Sequence, residues 1–451
     1  MKTYLVGGAV RDRLLGLEAK DLDYVVVGST VEQMLASGFQ QVGKAFPVFL
    51  HPETKCEYAL ARIERKNGHG YGGFAFDFSP DVTLEEDLFR RDLTINAMAM
   101  DESGGIVDPY GGQQDLKNRI LRHVGPAFGE DPLRVLRVAR FASRYAHLGF
   151  AVAPETMELM RKLAESGELS YLTSERIFGE FEKVLKAGSL SVFIRVLRQC
   201  GALKAVFPEM DALYGIPARR HWHPEIDTGI HMELCLDYAV KNGYSPIEKF
   251  ALFCHDFGKA LTPKEILPSH HGHGPRGVSL IEAFAERLRA PREYRVAACY
   301  VAEFHSHVHT ALYKTPEQIM ELFENLGAFR FPERMTVLLD CCTADIGGRL
   351  GFENLQYTHA GYLRDVFEHA LQVDVKKVVA DGFKGQGVKD ELARRRLEDI
   401  ESYSRIWLKE HADLVSSERR EDPAYLAQRA QRENSGQTPA GNRQRAGTPR
   451  P

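Results

Sequence analysis

Cysteine is sparse in this sequence and follows no regular pattern. The 451 residues include seven cysteines, and none of them forms a C-x-x-C pair or recurs at a fixed spacing. A disulfide framework would require a more regular arrangement. The adjacent Cys341 and Cys342 are expected to contribute to packing rather than to form a disulfide. The sequence therefore predicts reduced thiols in a mainly apolar setting.

Long hydrophobic runs and an excess of positive charge are also missing. No apolar segment reaches the roughly 20 residues that span a bilayer, so a membrane protein is not expected. The net charge of −4 argues against a generally basic nucleic-acid-binding protein, although local basic faces can still contact a phosphate backbone. The first residues run directly into a glycine turn and leave no room for a signal peptide. We expect a cytoplasmic protein.

What the chain does contain is apolar material for several domains. Hydrophobic residues make up 44% of the sequence, and a chain of this length favours two to four modules. No internal repeat is visible.

The amino-terminal segment has the pattern of a strand, a glycine turn and a helix. Tyr4 to Val6 form a short apolar run, and Gly7 and Gly8 allow a backbone to pass close to a ligand. The residues from 9 to 15 are typical of a helix that ends at Gly16. A phosphate group fits at the start of such a helix.

Asp21 and Asp23 stand two residues apart, just before the β-branched run Val25 to Val27. Side chains at i and i+2 of a strand point to the same face, so these carboxylates can share a cation. Hard oxygen ligands of this kind suit Mg²⁺. The alternative is a loop with two solvated acids, which would be preferred for an isolated D-x-D. The preceding glycines and the following strand favour the metal site.

This order of elements resembles the nucleotidyltransferase superfamily that includes DNA polymerase beta. The segment LVGGAVRD, residues 5–12, is more similar still to the tRNA nucleotidyltransferases, the CCA-adding enzymes, of the bacterial and eukaryotic class that also includes bacterial poly(A) polymerases. The resemblance implies an α+β protein. Its polymerase-beta-like nucleotidyltransferase head is followed by an all-α neck and body, an all-α HD domain and a helical tail.

The expected domain boundaries follow from this resemblance and from the change to a helical pattern beyond Phe150. The head is placed at 1–140, the neck and body at 141–225, the HD domain at 226–346 and the helical tail at 347–429. Residues 430–451 are polar without apolar periodicity, which predicts a disordered terminus.

A third carboxylate, Glu57, is a candidate partner of the aspartate pair. Residues 46–51 and 56–62 have the pattern of a hairpin, which is expected to place Glu57 on an antiparallel strand beside the pair. An acid at a strand edge is the equally weighted alternative. The glycine-rich and aromatic segment 65–80 predicts a mobile loop near the site.

The segment 84–98 is predicted to be helical and contains RRDLTINAM at 90–98. Arginine binds triphosphate oxygens in a bidentate manner, whereas a solvated helix face is the alternative. The string matches the second motif of the family, and the resemblance implies that Gly8, Arg11 and Arg91 contact the triphosphate. Residues 106–122 match the third motif and are interpreted as structural.

EDPLR at 130–134 opens a predicted helix in which Asp131 is the cap. Arg134, Arg137, Arg140 and Arg144 fall within roughly 120° of one helix face. Arginines are too costly to bury without partners, so solvent or an anion is expected to meet them. The resemblance implies that Asp131 and Arg134 hydrogen-bond the base edge of CTP or ATP, while Arg137 and Arg140 contact the nucleotide.

The helical half contains HDFGK at 255–259, HHGH at 270–273 and TADIGGR at 343–349, with His231 upstream. This combination of histidines and acids indicates a second chemistry and resembles the HD phosphohydrolase superfamily. Imidazoles and carboxylates suit a divalent metal. The alternative is a structural domain that has lost its metal site. The presence of all four ligand positions favours a functional metal site. By this resemblance the metal ligands are His231, His255, Asp256 and Asp345, with Ni²⁺ or Mg²⁺ as the metal, and the phosphate-binding residues are His270, His271 and His305.

The resemblance implies template-independent addition of C, C and A to tRNA 3′ ends from CTP and ATP. Asp21 and Asp23 would hold the catalytic Mg²⁺, with Glu57 as the third acid. The HD domain would act as a 2′,3′-cyclic phosphodiesterase, 2′-nucleotidase and phosphatase. The alternatives are a poly(A) polymerase, or an HD phosphohydrolase whose head only binds tRNA. The expected partners are tRNA, CTP and ATP, in a monomer or homodimer.

Overall fold

The computed structural model describes residues 1–19, 21–42, 48–66, 74–220 and 223–421, with the backbone alone at 64–66, 74–76 and 417–421. Residues 67–73 of the predicted loop and all of the predicted disordered terminus lie outside the described residues, whereas 65–66 and 74–77 of that loop belong to strands. The chain divides into two compact units, residues 1–303 with 344–355 and residues 304–343 with 356–451. The five domain boundaries proposed above remain predictions.

The first unit begins with a seven-stranded mixed sheet in the order β3-β4-β5-β2-β1-β8-β9. Two smaller pairs, β6 with β7 and β10 with β11, accompany it. The strands are β1 Lys2–Val6, β2 Asp23–Val27, β3 Gln40–Val42, β4 Val48–Leu50, β5 Glu57–Leu60, β6 Ile63–Lys66, β7 Phe74–Asp77, β8 Ala99–Met100, β9 Ile106–Val107, β10 Ile120–Leu121 and β11 Ala151–Val152.

The apolar run of β2 explains why the sheet is covered on both faces. Val25 packs in one hydrophobic cluster with Val6, and Val26 packs in another with Met34 and Phe49. Consecutive strand residues point to opposite faces, and both valines are almost fully buried. The apolar run thus fixes β2 in the core, and the acidic residues before it lie at the exposed end of the strand.

The head helices agree with the sequence except in the second motif. These helices are α1 Gly8–Leu14, α2 Val31–Ala36, α3 Leu84–Phe89 and α4 Gly112–Asn118. The predicted helix over 84–98 was wrong beyond Phe89, because the chain turns extended at Leu93 and then forms one 3₁₀ turn at Thr94–Asn96. The Asp92 carboxylate accepts the Leu93 N–H at 2.8 Å, and such local bonds compete with the helix.

Beyond the head, apart from the short β11, the described chain is helical. Its helices are α5 Leu133–Arg144, α6 Pro154–Glu165, α7 Ser174–Ala187, α8 Leu190–Gln199, α9 Ala202–Val206, α10 Pro208–Asp211, α11 Thr228–Lys241, α12 Pro246–Cys254, α13 His273–Arg287, α14 Arg292–Val308, α15 Pro316–Leu326, α16 Glu333–Gly347, α17 Thr358–Leu371, α18 Val375–Ala380, α19 Gln386–Glu410 and α20 Ala412–Glu421. The α+β class is confirmed.

Aromatic side chains form the core of each unit. In the first unit, the ring of Phe181 lies 5.0 Å from both Phe207 and Phe253, measured between centroids. In the second unit, Phe323 lies 5.0 Å from Phe367. Such pairs add to the hydrophobic stabilisation of buried area. All seven cysteines are free thiols, as predicted. In the described part of the chain, no helix combines the length and apolarity needed to cross a membrane.

Candidate functional site

The first candidate site lies at the end of the central sheet strands. Asp23 is the first residue of β2 and is paired in register with Glu57, the first residue of β5. The two strands run parallel, so the predicted antiparallel arrangement was wrong. The chain passes through α2 and the hairpin of β3 and β4 before it enters β5, and parallel neighbours require such a long connection. The predicted proximity of the two carboxylates is nevertheless present.

The electrostatics of this sheet edge show several acids crowded together. Partial desolvation and the neighbouring Glu57 carboxylate raise the pKa of Asp23, Asp21 adds to this, and Arg91 opposes it. A like charge nearby disfavours ionisation, so a cation placed here would be stabilised by all three acids. Among the described residues, no set of three ligand atoms within 4.8 Å of one another includes these acids. Their donor set still fits Mg²⁺, which accepts oxygen ligands from few protein residues.

Gly7 explains how an arginine comes close to the first helix. Its φ of +68° is in the left-handed region that favours glycine. A Cβ at this position would lie 2.9 Å from Arg91 Nη1. Arg91 also pairs with Asp87 at 3.1 Å, while its Nε is buried without a hydrogen-bond partner in the described part of the chain. The turn therefore holds a guanidinium beside the Asp23 edge.

Arg11 has a more internal position than a triphosphate contact requires. Its side chain is 4% exposed and donates to Asp12 at 2.8 Å, and it donates to Asn96 Oδ1 at 2.5 Å. Burial would raise the pKa of Asp12, but Arg11, Tyr145 and Arg144 outweigh it and hold that pKa below its usual value. In this structure Arg11 ties α1 to the second motif, and its triphosphate contact remains a prediction.

The arginine face of α5 meets carboxylates of the protein itself. Arg137 donates to Asp92 at 2.7 Å, Arg140 is paired with Glu180, and Arg144 is paired with Asp12. Burial would raise the pKa of Asp92, but the Arg137 guanidinium and the Asn96 amide hold it well below its usual range. The sequence predicted that anions or solvent would contact these arginines. In the structure the anions are carboxylates of the protein itself.

The predicted base-reading pair is anchored from both sides. Arg134 is 8% exposed and donates to the backbone carbonyls of Ala127 at 2.7 Å and Arg90 at 2.5 Å. Asp131 accepts from Arg176 at 2.8 Å and from the Leu133 N–H at 3.1 Å. Arg176 was not identified as a site residue from the sequence, because it lies 45 residues from Asp131 along the chain.

The second candidate site is a buried cluster of imidazoles and carboxylates, all in the first unit. His231 Nε2 lies 2.8 Å from Asp345 Oδ1, and His255 Nε2 lies 3.5 Å from Asp256 Oδ2. Ligand atoms of His231, His255 and Asp256 all lie within 4.8 Å of one another, as do those of His231, Cys235 and Asp345. The structure therefore brings together the four ligands that the sequence suggested.

Glycines allow the elements of this cluster to approach. A Cβ on Gly258 would lie 1.9 Å from the His273 carbonyl oxygen and 2.7 Å from the Gly277 nitrogen. A Cβ on Gly348 would lie 2.6 Å from the Cys235 Cα. These contacts involve backbone atoms that cannot move away cheaply. The H-D-F-G-K turn and the G-G after Asp345 thus set the close packing that positions the polar side chains.

Several members of the cluster were missed from the sequence. Glu225 Oε1 accepts from His231 Nδ1 at 2.8 Å and lies 3.1 Å from His223 Nδ1. Asp256 lies 2.6 Å from Lys259 Nζ and 3.2 Å from His273 Nε2. Two sequence features could have pointed to these residues. One is the HPE string at 223–225, and the other is the three-residue spacing from Asp256 to Lys259 and from His270 to His273.

Burial and the nearby Lys259 lower the pKa of His270 and Asp256 opposes this, so this predicted phosphate-binding histidine lies near the cluster. His270 lies within hydrogen-bond distance of the Thr262 hydroxyl at 2.8 Å and of the Pro217 carbonyl at 3.0 Å. His271 is exposed, and His305 is buried in the second unit. Within the segment 270–273, the histidine that contacts Asp256 is His273. The phosphate-binding role of His270, His271 and His305 remains a prediction.

The electrostatics of the cluster fit a divalent cation. Burial opposes a charged imidazole, yet Cys235, Asp345 and Glu225 raise the pKa of His231 well above its usual value. The Asp256 carboxylate is paired with Lys259, whereas Glu225 Oε2 is buried without a hydrogen-bond partner among the described residues. Two imidazoles and two carboxylates are a donor set that transition metals and Mg²⁺ accept.

Two family models match parts of the chain. Residues 3–122 match the poly A polymerase head domain. Residues 149–214 match the family described as a probable RNA and SrmB-binding site of polymerase A. The first match covers the sheet with the Asp23 edge and the second motif, and the second covers helices that follow α5.

Solved structures share the fold over most of the chain. The Bacillus stearothermophilus CCA-adding enzyme in complex with CTP is 24% identical, with a TM-score of 0.57, covering 92% of this chain and 94% of that chain. The Thermotoga maritima CCA-adding enzyme complexed with tRNA is 19% identical, with a TM-score of 0.57, covering 89% and 87%. An apo form of a CCA-adding enzyme is 20% identical, with a TM-score of 0.59, covering 89% and 88%.

Proposed function

We propose that this chain, which has a nucleotidyltransferase head and the fold of CCA-adding enzymes, adds C, C and A to tRNA 3′ ends from CTP and ATP. The observation that carries the proposal is the register pairing of Asp23 with Glu57 beside Gly7 and Arg91. It places acids suited to a cation next to a guanidinium suited to phosphate oxygens.

Each side chain at this edge has a role that its position supports. Asp21 and Asp23 would hold Mg²⁺, which when bound supplies charge stabilisation for the attacking 3′-hydroxyl and the leaving pyrophosphate. Arg91 donates to triphosphate oxygens, and Gly8 leaves room for the phosphates beside it. Glu57 reinforces the negative field that attracts the cation.

Nucleotide selection is assigned to the pair Asp131 and Arg134. Two backbone carbonyls hold the Arg134 guanidinium, and this orients it as a donor to the base edge. The Asp131 carboxylate accepts from an exocyclic amine, and its ion pair with Arg176 sets its direction. Arg137 and Arg140 are proposed to contact the nucleotide, and their ion pairs with Asp92 and Glu180 hold both guanidinium groups in position.

The test is incorporation of labelled CTP and ATP into a tRNA transcript that ends before CCA. We expect addition of two C and one A, and a loss of at least about 100-fold in rate for Asp23→Asn, because transition-state charge would be poorly stabilised. Asp81→Asn, an exposed head aspartate, is the matched control. Long A tails without C addition would favour the poly(A) polymerase alternative. No addition at all would favour a head that only binds tRNA.

A second activity is proposed for the histidine cluster, namely metal-dependent hydrolysis of 2′,3′-cyclic phosphates, 2′-nucleotides or phosphomonoesters. The observation in its favour is the tight grouping of His231, His255 and Asp256 ligand atoms. A bound divalent metal such as Ni²⁺ or Mg²⁺ supplies a water nucleophile of lowered pKa. Glu225 orients the His231 imidazole, and Lys259 offers a positive charge beside Asp256.

This activity is tested with 2′,3′-cyclic AMP in the presence of added Ni²⁺ or Mg²⁺. Asp256→Asn should abolish metal-stimulated hydrolysis, whereas Glu265→Gln, an exposed acid of the same unit, should not change it. Unchanged hydrolysis in Asp256→Asn would refute the assignment and favour a structural role for the cluster.

A further inference from the structure

A cavity of about 410 Å³ with basic walls opens in the first unit, and of the side chains described above it is lined by Arg144 of α5. Its charged lining residues are Arg144, Lys186 and Lys249, and His147 adds an imidazole. No carboxylate is among the residues that line it. We call it the basic cavity. Its walls come from the end of α5, the end of α7, and the turn between α11 and α12.

Lys249 is the unusual member, because its side chain is largely buried and the Glu248 charge acts on it without a direct ion pair among the described residues. It is 7% exposed, and in the described part of the chain no hydrogen bond or ion pair reaches its ammonium. The neighbouring Glu248 carboxylate accepts the Ser245 N–H at 2.6 Å, where it caps α12. An ammonium at a largely buried residue is stabilised by an anion or water that reaches it.

Two of the cations that line the basic cavity, Arg144 and Lys186, form ion pairs with acids that do not line it. Arg144 is paired with Asp12 at 3.2 Å, and Lys186 with Glu182 at 3.0 Å. Both basic residues are more exposed than Lys249, so solvent screens these pairs. The interior of the cavity therefore remains positive where Lys249 lines it.

A second and independent observation comes from Ser143, which also lines the cavity. Ser143 is 2% exposed, and its Oγ is buried without a hydrogen-bond partner among the described residues. A Cβ on Gly188 would lie 2.2 Å from this oxygen, so the glycine is what leaves space beside the hydroxyl. Buried hydroxyls are nearly always paired. The cavity thus offers both an ammonium and a hydroxyl donor that the protein does not use.

We propose that the basic cavity is a phosphate-binding site, in which Lys249 and Ser143 donate to phosphate oxygens and Lys186 and Arg144 balance the charge from the rim. A dianionic or diester phosphate accepts several hydrogen bonds and is stabilised by cations. Burial lowers the pKa of Lys249, and the Glu248 charge opposes this. The volume lies at the lower end of the range for small-molecule pockets.

Two sources can supply this phosphate, and the test separates them. One is a phosphodiester of an RNA backbone, and the other is a free phosphate compound such as pyrophosphate. The proposal does not depend on CCA addition, because both measurements below are made at equilibrium without turnover.

The experiment compares the full chain with Lys249→Met and Lys186→Met, and uses Lys204→Met, an exposed lysine outside the cavity, as the matched control. The first measurement is tRNA affinity by filter binding over a series of salt concentrations. The second is the increase in melting temperature caused by inorganic pyrophosphate.

If the phosphate belongs to RNA, each cavity variant weakens tRNA binding by about tenfold and reduces the salt slope by about one, while Lys204→Met does not. If it belongs to a free compound, the pyrophosphate-induced increase in melting temperature is reduced in both cavity variants and kept in the control. Either result supports the phosphate site.

Unchanged tRNA affinity and an unchanged pyrophosphate effect in the cavity variants would overturn the proposal. Circular dichroism establishes whether Lys249→Met is folded. If it is not, the exposed Lys186→Met and the conservative Ser143→Ala decide the question by the same two measurements, because neither removes apolar packing.

Discussion

Glu225 shows how one side chain can determine the chemistry of its neighbour. Its carboxylate accepts from His231 Nδ1 at 2.8 Å, which leaves His231 Nε2 facing Asp345. A carboxylate behind a ligating imidazole fixes its tautomer and its ring orientation. Because the residue was not suspected from the sequence, it also gives an independent test of the proposed metal site.

Replacing Glu225 with Gln should weaken metal binding by about 10- to 100-fold. The amide keeps the shape but loses the charge that orients the imidazole. Isothermal titration of the purified chain with Ni²⁺ measures the dissociation constant, and Glu265→Gln is the control. An unchanged affinity, with the wild type binding metal, would show that the Glu225 contact is structural only. If the wild type binds no metal, the site assignment itself fails.

Asp92 provides a prediction for pH. Its pKa in the folded chain is held below the usual 3.8 by Arg137 and Asn96, against the effect of burial. A depressed folded pKa contributes stability that is present above the unfolded pKa and is lost as pH falls towards the folded value. Removing one partner of a buried pair costs about 3–5 kcal/mol.

Asp92→Asn should therefore be less stable than the wild type by several kcal/mol at pH 7, and the difference should shrink as pH falls from about 5 to below 3. Urea unfolding at each pH measures it. The exposed Asp81→Asn should track the wild type throughout. A difference that stays constant with pH would contradict the assigned ion pair.

The arginine partners illustrate what could not be predicted at this scale. The face of α5 was visible from the spacing of its arginines, and so was the need for anions. The acids that satisfy Arg137 and Arg140 lie 45 and 40 residues away along the chain. Such pairings depend on tertiary packing, which the periodicity of one helix does not contain.

At the scale of elements, Gly258 carries the packing of α13 onto the H-D-F-G-K turn. A Cβ added to Gly258 would lie 1.9 Å from the His273 carbonyl oxygen. His273 in turn reaches Asp256 at 3.2 Å. An added methyl group would meet backbone atoms, so the helix itself would have to shift.

Gly258→Ala should lower the free energy of unfolding by about 1–3 kcal/mol, as overpacking usually does. Gly179→Ala is the opposite control, because it lies inside α7 with open space around its Cβ position. That substitution should stabilise the chain by up to about 1 kcal/mol through helix propensity. Chemical denaturation measures both, and equal effects of the two variants would refute the packing argument.

Elements with strong local signals were predicted well, and elements decided by long-range pairing were not. The hairpin of β4 and β5 and the helices α2 and α7 follow from residues close together in the sequence. The parallel pairing of β2 with β5 depends on how β3 and β4 are inserted, which no local pattern shows. The end of α3 depends on a hydrogen bond from the Leu93 N–H to the Asp92 carboxylate, and the sequence had predicted that Asp92 lies within the helix.

On the scale of the whole molecule, the two candidate sites differ in donor chemistry. The edge at Asp21, Asp23 and Glu57 offers oxygen ligands alone, whereas the cluster at His231 and His255 adds nitrogen. Mg²⁺ prefers oxygen, and affinity for mixed nitrogen and oxygen sites rises towards Ni²⁺. One chain should therefore respond to the two metals through different residues.

Ligand that binds only the folded state adds about 2.7 kcal/mol of stability at a hundredfold excess over its dissociation constant. We expect Ni²⁺ to raise the melting temperature of the wild type and of Asp23→Asn, but not of Asp256→Asn. The increase caused by Mg²⁺ with CTP should be lost in Asp23→Asn and kept in Asp256→Asn. Differential scanning calorimetry after chelation and reloading measures all three proteins. If one substitution abolished both responses, the two metals would share one site, and the division of chemistry between head and helical half would be wrong.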